Sequence, residues 1–99
     1  MAGKIPISFA ASAVSDMESI QAYYKNEGVP ATGKSLMAEL LSDIERLVDY
    51  PKSGRIVPEF NIEHLREIIH PPFRIVYRYD KKRVRIVRIW RSERILKLP

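Results

Sequence analysis

Six arginines (Arg74, Arg78, Arg85, Arg88, Arg91 and Arg94) fall in or just after one stretch, residues 65–90, which reads LREIIHPPFRIVYRYDKKRVRIVRIW. A guanidinium stays protonated at neutral pH and presents a rigid fork of donors, so such a concentration suits phosphate or carboxylate. Phe73, Ile75, Tyr77 and Tyr79 share one parity of the stretch, and Arg74, Val76 and Arg78 the other. A period of two predicts an apolar face and an arginine-rich wet face of a sheet. The only histidines, His64 and His70, lie in or beside connections. The aromatics Phe73, Tyr77, Tyr79 and Trp90 are interleaved with the cations, a pattern also found in nucleic-acid binders, but three of them carry the apolar parity and read as core.

These residues need strands to hold them. Leu65–Ile69, Phe73–Tyr79 and Val84–Ile89 read as three short antiparallel strands, separated by Pro71-Pro72 and by the polar turn Asp80–Arg83. Upstream, Ile5–Phe9 reads as a first strand. A helix over Ala10–Asn26 is predicted from Ala13, Val14, Met17, Ile20, Gln21 and Tyr24, with Ser12 and Asp16 near its N-terminus and Glu27-Gly28 closing it. A second helix begins at Pro30 and carries one stripe of Leu36, Met37, Leu40, Leu41, Ile44, Leu47 and Val48. Glu39, Asp43, Glu45 and Asp49 lie off that stripe, facing water, and Pro51 stops the helix. Pro51–Arg55 is a turn, Ile56–Glu59 leads out of it, and Phe60–His64 is a loop or short helical turn. The expected fold is α+β in the order β-α-α-β-β-β: one antiparallel sheet with an antiparallel helix pair across its apolar face.

With 99 residues the expected organisation is one domain spanning 1–99. No cysteine is present, which excludes a disulfide framework and any Cys-containing zinc site. No apolar run approaches the ~20 residues that span a bilayer. The weak signal-peptide look of the N-terminus fails on its short apolar stretch and Pro6. A cytoplasmic protein is expected, with no cofactor, metal or membrane partner. Charge is unevenly placed. Residues 1–50 hold four Lys/Arg against seven Asp/Glu, and residues 51–99 hold thirteen against five, so the sheet half supplies the whole net +5. Such a basic half is the footprint of a nucleic-acid or acidic-protein binder, or simply a solvated surface.

Four pieces in order, Asp16–Tyr23, Tyr50–Arg55, Leu65–Ile68 and Pro72–Arg78, followed by Ile89–Arg94, resemble the RelE/ParE superfamily of toxins from type II toxin–antitoxin modules. The resemblance implies a small toxin that arrests growth and is held inactive by an antitoxin, here expected to offer an acidic amphipathic segment. It implies one of two targets. ParE-like members inhibit DNA gyrase without chemistry of their own; RelE-like members cleave mRNA in the ribosome. A degenerate member that only binds its antitoxin is a third reading, because a shared fold does not decide function.

Cleaving RNA by 2′-OH attack needs a base, an acid and cations for the phosphate. On the RelE-like reading, Arg74 matches the phosphate arginine and Glu59 stands where one branch places its base. Arg91, however, stands where a functional histidine often lies, and arginine is a poor proton donor. Cations are abundant and a proton-transfer pair is missing, which favours the ParE-like reading. The expected target contacts are Arg55, Arg66, Arg74, Arg78, Arg91 and Arg94. Trp90 shares the parity of Val84 and Ile86 and is expected to cover the end of the core, with Arg91 joining Arg83 and Arg85 on the other face.

Overall fold

The β-branched and alternating stretches form a five-stranded sheet in the computed structural model, which describes residues 5–92. The strands are β1 (Ile7–Phe9), β2 (Arg55–Ile56), β3 (Leu65–His70), β4 (Phe73–Tyr79) and β5 (Val84–Arg91), in spatial order β1-β5-β4-β3-β2. The helices α1 (Ala11–Asn26) and α2 (Pro30–Glu45) lie between β1 and β2 in the chain, and a 3-10 turn at Arg46–Val48 follows α2. Three strands are therefore antiparallel neighbours, as expected. The sheet differs from the expectation at its edges. The N-terminal strand β1 pairs parallel to β5, and the turn after α2 adds the two-residue strand β2 against β3. Parallel pairing needs a long crossover, and the helix pair lies within the connection that returns to β5.

The helices bury Ala13, Ile20, Met37, Leu40, Ile44 and Leu47 against Phe73, Ile75, Tyr77, Val84, Ile86 and Ile89 of the sheet. The α2 stripe is placed as its spacing predicts, except that Leu41 sits at its exposed margin. On α1 the expected stripe is rotated: Ala13 is buried and Val14 exposed. Ser12 and Asp16 do not cap α1. They close the edge of β5 beyond the end of β1. Ala10 N–H donates to the Ile86 carbonyl at 2.9 Å, and the Ser12 hydroxyl donates to the Val87 carbonyl at 2.7 Å. The Asp16 carboxylate accepts from Ile89 N–H at 2.9 Å and from Arg88 through both oxygens at 2.8 Å. An uncovered strand edge is thus satisfied by the first turns of a helix.

One extra residue in β5 reorganises the far end of the sheet. Val76 pairs with Arg88 while Tyr77 pairs with Ile86, so Val87 is a bulge. A one-residue insertion moves every later side chain to the opposite face. Trp90 therefore leaves the face of Val84 and Ile86 and packs against a second cluster, Val57, Leu65 and Val76, on the reverse side. The Arg88 guanidinium stacks 4.1 Å over its ring. Arg91 is carried the other way, to Phe73, its guanidinium 5.7 Å from that ring, and does not join Arg83 and Arg85. Neither expectation could survive the bulge, because both counted parity straight through it.

The second cluster also corrects the picture of a wet reverse face. Val76 is fully buried and Arg74 is only 6% exposed. Val57 belongs to this cluster and helps to cover that part of the face. The turn beyond it is tied back by Phe60 and Asn61 N–H donating to the Val57 carbonyl.

Asp43 does not face water either. Its carboxylate accepts from Arg46 at 2.7 Å and meets His70 Nδ1 of β3 at 2.6 Å, while Glu39 meets His70 Nε2 at 3.0 Å. The hydrogen bond to Asp43, aided by Glu39 and opposed by burial, raises the His70 pKa above its ordinary 6.5. A raised folded-state pKa contributes stability that is fully present below the unfolded value and is lost as pH rises through the folded one. The protein is therefore expected to melt at progressively lower temperature as pH is raised from about 6.5 through the higher folded-state value, with His70→Gln flattening the dependence. Equal pH profiles for the two proteins would remove His70 as its source.

Candidate functional site

The turn Pro51–Arg55 is held by one buried hydroxyl. Tyr77 projects from β4 on the helix side, donates to the Pro51 carbonyl at 2.8 Å and accepts from Gly54 N–H at 3.0 Å. Burial pushes its phenol pKa up, which keeps it a neutral donor. Arg66 of β3 adds a bond to the Gly54 carbonyl at 3.1 Å and one to the Glu63 carbonyl at 2.7 Å, and its guanidinium lies 5.6 Å from the Tyr79 ring. The turn is thus locked, and it delivers Arg55 to the reverse face beside β3.

There, four charged side chains form one chain of ion pairs. Arg55 Nε donates to Glu67 at 2.7 Å, and Arg74 Nε donates to the other Glu67 oxygen at 2.6 Å. The two terminal nitrogens of Arg74 donate to the two oxygens of Glu59, each at 2.7 Å. Glu67 is 1% exposed, so its charge is tolerable only because both its oxygens are bonded to cations. The Arg74 hydrogen bond holds Glu59 at a pKa of about 2, and the same pair, with Glu67, raises the already high Arg74 value. Arg74 and Glu59 open onto a shallow cleft with Arg55, Pro58, Ile69 and Ser92. The network can carry fixed charge. A carboxylate of pKa about 2 is a weak proton acceptor at neutral pH.

The structure brings Arg55, Glu59 and Arg74 together and leaves the other expected contacts apart. Arg66 serves the turn. Arg78 is exposed in a separate groove beyond the other end of β3 and β4. Arg91 lies in the cleft between α1 and β5, with Tyr23, Tyr24 and Phe73. Arg94 lies outside the described residues. Glu67 is the member that sequence reasoning missed. Its signal was available: Leu65, Glu67 and Ile69 share a parity, and an acid between two apolar residues on one strand face implies a buried partner. Tyr77 was taken as plain core, and nothing in the sequence announces its hydroxyl contacts. Among the described residues, no helix is long and apolar enough to cross a membrane.

A solved chain of the chromosomal ParDE TA system from P. aeruginosa aligns over 91% of this chain and 98% of its own length, with a TM-score of 0.76 at 20% identity. At that identity the likeness is one of fold. The family model described as ParE toxin of type II toxin-antitoxin system, parDE, matches residues 7–96, and the chain belongs to that family. Among curated protein sequences none matches significantly.

Proposed function

We propose that this ParE-family toxin arrests growth by binding and inhibiting DNA gyrase, without catalysing a reaction, and that its antitoxin restrains it through an acidic amphipathic segment. One observation carries the choice between the two targets of the superfamily: Arg74 and Glu59, the pair that RNA cleavage would need free, are spent on each other. A general base contributes about 10²–10⁴-fold when its pKa lies near the working pH, and Glu59 sits at about 2. Arg74 directs its Nε and both terminal nitrogens at carboxylates. The basic balance of the sheet half supports an acidic partner segment.

The test compares two reactions with purified toxin. Supercoiling by gyrase should be blocked, while mRNA on translating ribosomes stays intact in primer extension. Codon-positioned cuts, lowered by Glu59→Ala, would assign the RelE-like activity instead. Soluble expression without growth arrest would leave only antitoxin binding.

A further inference from the structure

A second charged surface lies away from the Arg74 network, where the 80–83 turn meets the start of β5. The groove there has a volume of about 940 Å³ and is lined by Lys52, His64, Arg78, Lys81, Arg83 and Arg85. Arg78 and Arg85 are directly opposite one another on β4 and β5. Like charges at directly opposed positions destabilise a sheet, so this pair costs the fold something. The acids in the groove do little to offset it. Asp80 accepts from Lys82 and Arg83 N–H at 2.7 and 3.0 Å and so builds the turn. Its other oxygen is 3.8 Å from Arg83, with both side chains well exposed. Glu63 is turned to Arg66 at 3.7 Å. Arg85 leans on a neutral hydroxyl, Ser8, at 3.2 Å.

We propose that this groove binds the phosphate backbone of DNA. The cations sit on neighbouring strands and on the turn between them, so several can meet successive phosphates at once, and a polyanion relieves the Arg78–Arg85 repulsion. An acidic protein segment fits less well, because affinity between proteins comes mainly from apolar and aromatic anchors. The apolar and aromatic side chains at this groove, His64 apart, are Ile5, Pro51 and Tyr79, and each is already half-buried. Binding through phosphates carries no base preference and is strongly salt-dependent. The site is independent of the gyrase reading, since naked DNA is its ligand.

The experiment is fluorescence anisotropy with a labelled random-sequence DNA duplex over a range of salt concentrations. Each phosphate contact contributes about −0.9 to the slope of log K against log salt, so about four contacts predict a slope near −4. The double variant Arg78→Gln/Arg85→Gln should bind at least about tenfold more weakly at low salt and lose about 2 from the slope. It should melt no lower than wild type, because it removes a repulsive pair. If it fails to fold, Lys81→Gln/Arg83→Gln in the exposed turn gives the same readout. Lys34→Gln on α2 serves as the control and should change neither quantity beyond the effect of one distant charge. The proposal fails if wild type does not bind the duplex, or if the groove variants bind like the control. It also fails if an acidic peptide of equal charge binds the groove more tightly than the duplex does.

Discussion

Glu67→Ala is expected to cost about 3 kcal/mol, the lower end of what breaking a buried ion pair costs, because Arg74 loses one of its two carboxylates and keeps Glu59. What is stranded is the Arg74 Nε–H, on a side chain 7% exposed, which would face the cavity left by the carboxylate. Arg55 is stranded too, but its side chain is 59% exposed and water can take over. Arg55→Ala should cost about 1–3 kcal/mol, because it leaves one oxygen of the buried Glu67 carboxylate without its donor. Removing both buried partners reverses the logic. Glu67→Leu combined with Arg74→Met should recover most of the loss, since burying two charges is itself expensive and an apolar pair of similar volume is often neutral. Denaturant unfolding of the four proteins decides it. If Glu67→Ala unfolds like wild type, or if the double variant is worse than Glu67→Ala alone, the network does not hold the reverse face together.

The same network explains which parts of the molecule were legible in sequence. Helix positions, the antiparallel strands and the main core follow from local periodicity, and Leu36–Leu47 and Phe73–Tyr79 carry that signal strongly. The parallel pairing of β1 with β5 joins residues more than 70 positions apart, such as Ile7 and Val84, and no local pattern encodes it. The Val87 bulge is equally silent, since Val84–Ile89 looks like an uninterrupted strand. That one residue decides the faces of Trp90 and Arg91, so an error of one position became an error of two side chains.

Polar residues misled for a different reason. Arg74, Glu67, Asp43 and Asp16 are all charged, and charge alone assigns them to solvent. In the structure each is paired: Arg74 and Glu67 in the core of the reverse face, Asp43 on His70, Asp16 on Arg88 and the β5 edge. Burial of a charge depends on a partner brought by another element, and that partner is a property of topology. Among the described arginines of β4, β5 and the turn between them, those that stay exposed are Arg78, Arg83 and Arg85, at the turn end. There the structure agrees with the expected arginine-rich wet face, over a smaller area.

Gly54→Ala is expected to cost about 3 kcal/mol, at the upper end of what overpacking usually costs. A Cβ on Gly54 would lie 2.6 Å from the Glu67 carbonyl oxygen and 2.7 Å from the Tyr77 hydroxyl. The first is backbone within the sheet and cannot swing aside, so the turn itself must move, pulling Arg55 from Glu67. Tyr77→Phe attacks the same clamp from the other side. It removes the bond to the Pro51 carbonyl and leaves the buried Gly54 N–H without its acceptor, a loss of about 1–3 kcal/mol. The two changes share a contact, so they should not add. Deleting the hydroxyl removes one of three close contacts, leaving the carbonyl and the Tyr77 ring carbon at 2.9 Å, and the double variant should cost less than the sum of the singles. Thermal and denaturant unfolding of both singles and the double measures the coupling directly. Strict additivity, or a Gly54→Ala protein that melts like wild type, would mean that the turn accommodates a methyl and that Tyr77 does not clamp it.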